Sequence, residues 1–277
     1  TPMTTADHWR ANLDIKNLLA ERLRPRLLAA FAQDPALAEL AQTLRNWDLR
    51  DDQSLAAPLV FQSVLRQLAL ETFADDLSGT LLIDYLDESY YWQERFMALL
   101  ESDDSHWFDD QRTVQLESSD DIIRRAGHQA LAELQQDFGA DSARWSWGEA
   151  HRIVFSHPFF PGELAARWLG GGIHPQDGSG ATLRRGVYRF SQPYESRIVD
   201  SIRMIIDLSD SEKVETHYPG GASERLFDPW NKNFLNAWLS GEKRYLWFSE
   251  AAMREHTSQQ LILSPGLDKL TPLDKQN

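Results

Sequence analysis

The chain has 277 residues, of which 42% are hydrophobic, 11% aromatic and 25% charged, so it has enough apolar mass for a large core. Its 42 acidic and 28 basic side chains give a formal net charge of -14, which disfavours a protein that coats nucleic acid, because phosphate binding requires clustered Lys and Arg. The absence of cysteine excludes disulfides, cysteine-ligated zinc, iron–sulfur clusters and cysteine nucleophiles.

The start of the chain carries no recognisable targeting signal. Thr1-Pro2-Met3-Thr4 lacks the basic and apolar regions of a signal peptide, and no run approaches the ~18 apolar residues that span a bilayer. No membrane partner is therefore expected. Because position 1 is not Met, we expect a processed product or a fragment of a longer protein. The lack of cysteine fits an oxidising periplasm and does not contradict the cytosol.

The first half of the sequence predicts helices. Thr4 and Asp7 have the spacing of a capping box, in which each side chain accepts a hydrogen bond from a backbone amide at the helix start. Leucines recur behind it at helical spacing up to Leu28, and Pro25 is expected to kink or divide this helix. Further helices, separated by Asp-rich turns, are predicted at residues 36–47, 55–73 and 81–100.

The clearest predicted helix covers residues 118–138. Ser118 and Asp121 form a second capping box, and Gly139 supplies the stop. The apolar stripe between them has helical spacing. It consists of Ile122, Ile123, Ala126, Ala130, Leu131, Leu134 and Phe138.

Gly and Pro cluster after about residue 140, which predicts loops and strands. Residues 198–208 alternate, with isoleucines and Met204 on the even-numbered face, and therefore predict a strand on a covered sheet. Further strands are predicted at residues 183–190, 213–217, 244–248 and 260–263, with a short helix at 230–239 closed by Gly241. The fold class is α+β, with a helical portion over residues 1–140 and a strand- and loop-rich portion over 141–277, both parts of one larger domain.

The signatures of several enzyme classes are missing from the sequence: the phosphate-binding loop, the dinucleotide fingerprint, the His-Glu-x-x-His zinc motif and the Gly-x-Ser-x-Gly elbow. On an extended strand, His151 and His157 would share a face about 20 Å apart, too far to share a metal ion. Each is expected to bond to backbone or to a carboxylate. The acidic runs lack calcium-loop spacing and are interpreted mostly as solvated turns. The tryptophans predicted to lie in the core are Trp47, Trp92, Trp168 and Trp238.

Thr1 is a candidate nucleophile, because a Thr at a chain's amino terminus can use its own α-amine as general base. Such a nucleophile normally begins a buried strand, whereas Thr1 leads directly into a capped helix. Thr1 is therefore interpreted as a boundary within a longer sequence rather than as a catalytic residue.

Three groups of short motifs follow one another along the chain. They are SHWFDDQRT at residues 105–113 with ESSDD at 117–121, WSWGEAH at 145–151 with FSHP at 155–158, and SRIVD at 196–200 with HYPGGAS at 217–223 and WLSGEKR at 238–244. Together with the opening leucine-rich helix, their order and spacing resemble the C-terminal part of the β chain of the penicillin acylase (penicillin amidase) family. This family of N-terminal-nucleophile hydrolases includes β-lactam acylases and acyl-homoserine-lactone acylases.

The resemblance implies that the chain is part of a four-layer αββα sandwich and of an enzyme that removes an acyl group from a linear amide. In the family, a Ser at the new β-chain terminus attacks the amide carbonyl and its α-amine acts as base, while an Asn side chain and a backbone amide form the oxyanion hole. These groups, a nearby Arg and the calcium ligands all precede the opening helix of this chain. We therefore expect no catalytic, cofactor-binding or metal-binding residue here, and no activity from this segment alone.

The resemblance also implies partners and a location. The expected partners are the upstream β-chain segment and the α chain of the same precursor, with a small acyl amide as substrate, in the periplasm or outside the cell. Residues 218–221 and 227–230 depart from the family pattern, so the acyl or leaving-group preference could differ from that of the better-known penicillin enzymes. The alternatives of a different class are a carbohydrate- or protein-binding module and a degenerate acylase scaffold.

The matched residues are interpreted as structural. Trp145, Trp147 and His151 are expected at a helix-to-strand junction, with the imidazole bonded to a carboxylate or carbonyl. The other expected contacts are an ion pair from Arg197 to Asp200 or Asp207 and a turn with unusual backbone angles at Gly220 and Gly221.

Two apolar surfaces are expected to be covered by upstream chain: the even-numbered face of residues 198–208 and the stripe of the helix at 118–138. Uncovered apolar faces and unpaired sheet edges both promote association. Residues 1–277 expressed alone are therefore predicted to be poorly soluble or to bind a hydrophobic dye, although the net negative charge opposes aggregation.

Overall fold

The computed structural model describes residues 3–102, 106–157 and 159–263. The helices are Thr5–Asn12 (α1), Leu18–Phe31 (α2), Ala38–Asn46 (α3), Ala56–Phe73 (α4), Thr80–Asp87 (α5), Ser89–Ser102 (α6), Ser119–Phe138 (α7), Trp147–Ala150 (α8), Glu163–Trp168 (α9), Leu235–Ser240 (α10) and Glu250–His256 (α11). The strands are Arg152–Phe155 (β1), Gly172–Pro175 (β2), Gly186–Val187 (β3), Ile198–Val199 (β4), Arg203–Asp207 (β5), Asp210–His217 (β6) and Arg244–Trp247 (β7). Within these residues, no helix has the length and apolar character needed to cross a bilayer.

Helix α7 forms as predicted and packs against α4 and α2. Its capping box is complete, because Ser118 accepts from the Asp121 amide and the Asp121 carboxylate accepts from the Ser118 amide. Ile122 and Ile123 are fully buried, which stabilises the fold by roughly 1.5–3 kcal/mol for each side chain. The expectation that upstream chain covers this stripe is wrong, because helices of the same chain already cover it.

The opening helical region is divided, but not at Pro25. The capping box of Thr4 and Asp7 is present, and α1 ends at Asn12. The Asn17 side chain then accepts a hydrogen bond from the Ala20 amide and begins α2, which continues through Pro25. The break therefore lies at the Asn17 cap, where a side chain satisfies an amide that would otherwise lack a partner.

The other predicted helices are confirmed with one interruption. Residues 36–47 form a 3₁₀ turn and α3, and residues 55–73 form α4. Residues 81–100 form two helices, α5 and α6, because the chain leaves helical geometry at Glu88, where φ is -101° and ψ is 65°. The core of these helices extends past residue 140, since Phe190 and Tyr194 belong to it.

The strands form small antiparallel sheets, in which β1 pairs with β2, β3 with β4, and β5, β6 and β7 lie in that order. The predicted strand at 198–208 is divided between two of these sheets, as β4 and β5. The strand predicted at 183–190 is reduced to β3, and residues 260–263 form none. Strands β6 and β7 are confirmed, and α10 ends at Gly241 in the left-handed conformation with φ of 79°.

The sheet of β5, β6 and β7 is covered by this chain on one face only. Helix α1 packs on β5, and the Thr5 hydroxyl lies 3.5 Å from the Glu215 carboxylate. Met204 and Ile206 of β5 remain 41% and 48% exposed, and Leu246 of β7 remains 47% exposed. Within the described residues, this apolar face has no covering element, so its cover by upstream chain stays a prediction.

Three of the four tryptophans predicted to be core are buried. Trp47, Trp92 and Trp238 are at most 5% exposed, whereas Trp168 is 75% exposed. Trp168 lies at the end of the short helix α9, where no described element covers its ring. The prediction for Trp168 is therefore wrong.

Candidate functional site

A groove of about 510 Å³ lies at the end of β1. Its volume falls within the range of small-ligand sites. It brings together residues of the second motif group, around His157, and of the third, around Gly220. The lining residues are Phe155, Ser156, His157, Phe159, Leu169, Gly170, Gly171, Gly220, Glu224, Asn231, Lys232 and Leu235.

The glycines of this groove allow close backbone approach. A Cβ atom on Gly170 would lie 2.1 Å from the Phe155 carbonyl oxygen. One on Gly221, which follows the lining residue Gly220, would lie 2.2 Å from the Asn231 carbonyl oxygen. Gly220 has φ of 95°, which confirms the predicted turn with unusual backbone angles. Glycine is therefore needed at positions 170 and 221, because a side chain would collide with the neighbouring backbone.

Replacing Gly170 by Ala should destabilise the full-length protein by about 2–4 kcal/mol, because the new methyl group meets a backbone oxygen that cannot move aside freely. Gly180→Ala is the matched control, since its Cβ would meet only Val187 at 3.7 Å, an ordinary contact. Urea unfolding should therefore show a lower midpoint for Gly170→Ala alone. Equal midpoints for the two variants would contradict the close approach.

The polar groups of the groove include one histidine and two charged side chains. His157 Nδ1 accepts a hydrogen bond from the Phe159 amide at 3.2 Å, which confirms that this imidazole bonds to backbone. Glu224 and Lys232 supply opposite charges. Among the described residues, no hydrogen bond joins Ser156 to a histidine, so the groove holds no paired nucleophile and base.

The His151 imidazole bonds to a carbonyl oxygen, as the sequence predicts. Its ring stacks on Trp147 with centroids 4.3 Å apart, and Nδ1 donates to the Tyr194 carbonyl oxygen at 2.7 Å. Full burial lowers the pKa of His151 to about 4, so the imidazole is neutral near neutral pH. A Cβ atom on Gly186 would lie 2.4 Å from Nε2, which shows how closely the chain packs around this ring.

A buried carboxylate that sequence analysis missed lies between α2 and the loop before β3. Asp51 is fully buried, and the Asn17 side-chain amide donates to both of its oxygens, at 2.9 and 3.2 Å. The Ser179 hydroxyl also bonds to it, and burial raises its pKa to about 7. The sequence places Asp51 in an Asp-rich turn between two predicted helices and does not indicate its burial. Asn17 carried a usable signal, because Asn immediately before an apolar helical run is typical of a cap.

The ion pairs expected around residue 200 are different from those found. Arg197 pairs with Glu195 at 3.1 Å, and not with Asp200 or Asp207. Asp200 pairs instead with Arg203 at 3.1 Å. Arg203 is buried, donates to the Trp238 carbonyl oxygen at 2.8 Å, and lies over the Trp238 ring. The expectation for Arg197 is therefore wrong.

The described residues contain no group of three or more acidic or histidine side chains placed to hold a metal ion. One member of the acidic runs is paired rather than solvated, since Asp110 bonds to Arg112 at 2.7 Å and to Arg125 at 2.8 Å. These guanidinium groups hold the pKa of Asp110 well below its usual range.

Thr1, the candidate nucleophile, lies outside the described residues, as do Ser105 and Pro158 of the matched motifs.

The helices and small antiparallel sheets define an α+β protein whose architecture is shared with a solved acylase. The structure of a thermostable penicillin G acylase from Alcaligenes faecalis aligns with a TM-score of 0.54 at 20% identity, over 94% of this chain and 49% of that one. The Penicillin amidase family model matches residues 1–255. The chain belongs to the penicillin amidase family, which confirms the resemblance noted in its sequence.

Three curated relatives are acyl-homoserine lactone acylases named QuiP. The chain is 27% identical over 248 residues to that of Pseudomonas putida, covering 86% of the chain and 30% of the relative. It is 26% identical over 256 residues to that of Pseudomonas aeruginosa, covering 85% and 30%. For Pseudomonas fluorescens strain Pf0-1 the identity is 29% over 259 residues, covering 90% and 30%. The chain thus spans about 30% of the length of these relatives.

Proposed function

We propose that the chain is the C-terminal segment of an acylase that hydrolyses linear acyl amides. The observation that carries this proposal is the family match over residues 1–255. The relatives are named for hydrolysis of acyl-homoserine lactones, and the structural neighbour for hydrolysis of penicillin G, which supports one common reaction class. The described groove adds a surface of ligand size but no catalytic pair.

In the proposed reaction, an amino-terminal Ser upstream of this segment attacks the amide carbonyl. Its α-amine takes the hydroxyl proton and passes it to the leaving amine, so that an acyl ester forms on the Ser and the amine departs. Water then cleaves the ester and releases the carboxylic acid. An Asn side chain and a backbone amide, also upstream, stabilise the oxyanion.

The uncovered face of the sheet formed by β5, β6 and β7 supports the proposal that this chain is one segment of a larger fold. Met204, Ile206 and Leu246 present apolar surface that a free-standing domain would bury. We propose that the upstream β-chain segment covers this face and that an α chain from the same precursor completes the enzyme, within an αββα sandwich.

For the substrate, we propose an acyl-homoserine lactone first, because the curated relatives carry that name. Phenylacetyl amides and aliphatic penicillins are the competing acyl donors. On the family resemblance, we expect residues 218–221 and 227–230 to depart from the family pattern. Gly220 lines the groove together with Asn231 and Lys232. This region is the part of the chain most able to influence the leaving-group preference.

Location and calcium are further parts of the proposal. The enzyme is proposed to act in the periplasm or outside the cell, which osmotic-shock fractionation would test. The described residues do not fit a calcium site, since no acidic cluster of suitable size occurs among them. On the family resemblance, we propose that the calcium ligands lie upstream, and no step of the reaction is assigned to the ion.

The test uses the complete precursor, expressed with its own leader and assayed on acyl-homoserine lactones of graded chain length and on a phenylacetyl amide. We expect amide hydrolysis, two chains by intact mass, and Ser as the first residue of the larger chain. Replacing that Ser by Ala should lower kcat by about 10⁴-fold or more. A native protein that begins at Thr1 and binds ligands without hydrolysis would favour the binding module instead.

A further inference from the structure

A second cleft lies in the helical part of the chain, between the end of α4, helices α5 and α6, and the 3₁₀ turn His106–Phe108. Its volume of about 600 Å³ is that of a small-ligand site. Its aromatic lining is continuous, since the Phe73 ring lies 5.6 Å from Phe96 and 5.4 Å from Trp107. Leu81 and Leu99 extend this apolar lining.

Two polar side chains, Tyr85 of α5 and Arg95 of α6, also line the cleft. Because both side chains line one cleft, from adjacent helices, they can reach the same ligand. Burial raises the pKa of the Tyr85 phenol, so its hydroxyl keeps its proton as a donor near neutral pH. Within the described residues, no carboxylate lies within 4.0 Å of the Arg95 guanidinium. The neighbouring Glu94 and Glu101 bind Arg22 instead.

We propose that this cleft binds a free medium- or long-chain carboxylic acid. The hydrocarbon chain lies against Phe73, Phe96 and Trp107, and the carboxylate accepts hydrogen bonds from the Arg95 guanidinium and the Tyr85 hydroxyl. An arginine fork matches the two oxygens of a carboxylate, and a hydrogen bond to a charged group is stronger than one between neutral groups.

Charge and apolar area have separate roles in this site. The net charge of -14 opposes the approach of any anion from a distance, although salt screens this repulsion beyond roughly 8–10 Å. The apolar lining therefore supplies most of the affinity, and Arg95 selects the head group. A cationic amphiphile would meet repulsion from Arg95, and a neutral one would lose the charge-assisted hydrogen bonds.

This inference does not depend on the hydrolysis proposed above, because its readout is binding. The acid released from an acyl amide has the same chemistry as the proposed ligand, so the cleft offers a place for retained product. Loss of hydrolysis in the complete enzyme would leave the binding result unchanged, and loss of binding would leave hydrolysis unchanged. The two proposals can therefore fail separately.

The test is equilibrium dialysis of the complete protein with radiolabelled decanoate and, in parallel, with decanol. Arg95→Gln should weaken decanoate binding about tenfold and leave decanol binding within about twofold. Ala98→Trp, which fills the cleft from an exposed position in its lining, should weaken both ligands. Arg144→Gln is the matched control, an exposed arginine outside the cleft, and should change neither.

Several outcomes would overturn the proposal. They are the absence of saturable decanoate binding, an equal loss of both ligands in Arg95→Gln, and binding that Ala98→Trp does not affect. A parallel arm uses vesicles of phosphatidylglycerol. Binding to vesicles without binding to dissolved decanoate would assign the cleft to a lipid surface and contradict a site for the free acid.

Discussion

Replacing Met204 by Asp should reduce the yield of processed, active enzyme at least about tenfold when the complete precursor is expressed. Met204 lies on the sheet face that we propose is covered by upstream chain, and a carboxylate buried there without a partner costs several kcal/mol. Size-exclusion chromatography and amide hydrolysis of the purified protein would measure the loss. The folding defect should precede any change in kcat of the molecules that do assemble.

The same substitution should act in the opposite direction in residues 1–277 expressed alone. There the Met204 side chain faces solvent, so a carboxylate removes exposed apolar surface and should lower the fluorescence of a bound hydrophobic dye. Val114→Asp is the matched control, because Val114 is fully exposed in a loop. An unchanged yield of the complete enzyme in Met204→Asp, or dye fluorescence of the isolated segment that does not fall, would show that this face is not an interface within the enzyme.

The features that sequence reasoning predicted well are those fixed by local contacts. The capping boxes of α1 and α7 involve residues three positions apart, so their geometry is specified within one helical turn. The placement of Trp147 and His151 at the junction of α8 and β1 is equally local, since four residues separate them. Family membership was also accessible, because it depends on the order of several motifs rather than on any distant contact.

The features that sequence reasoning missed depend on contacts between distant parts of the chain. Alternation at 198–208 specified an apolar face but not the division into β4 and β5, whose partners are β3 and β6. Arg203 is buried because it reaches Trp238, 35 residues later. The burial of Asp51 requires Asn17 and Ser179 from opposite directions along the chain. A local pattern of charges cannot report such partners.

Replacing Asp51 by Asn should remove a loss of stability that the wild-type protein suffers as pH rises. Burial raises the pKa of Asp51 from 3.8 to about 7, so the native state holds this proton more tightly than the unfolded chain does. The resulting stabilisation is complete below about pH 4 and disappears as pH rises through 7. A shift of this size corresponds to on the order of 4 kcal/mol at most.

The loss of stability at low pH has a different cause, namely protonation of His151, and can therefore be distinguished from the loss caused by Asp51. Burial lowers the pKa of His151 from 6.5 to about 4, so its contribution is present above 6.5 and is lost as pH falls through 4. Asp51→Asn should retain the loss of stability at low pH and remove the loss that occurs as pH rises, because the new side chain has no titrating proton. Its amide oxygen still accepts a hydrogen bond from Asn17. Urea unfolding of the complete protein at about pH 5 and about pH 8.5 would show the change.

Asp52→Asn provides the matched control for this experiment. Hydrogen bonds from the Ser54 hydroxyl and amide lower the pKa of Asp52, so this carboxylate is ionised across the whole interval from about pH 5 to about pH 8.5 in both native and unfolded states. Its substitution should shift stability equally at both pH values. If Asp51→Asn also leaves the difference between the two pH values at its wild-type size, the Asp51 carboxyl is already ionised in the native protein at pH 5, and Asn17 and Ser179 outweigh its burial.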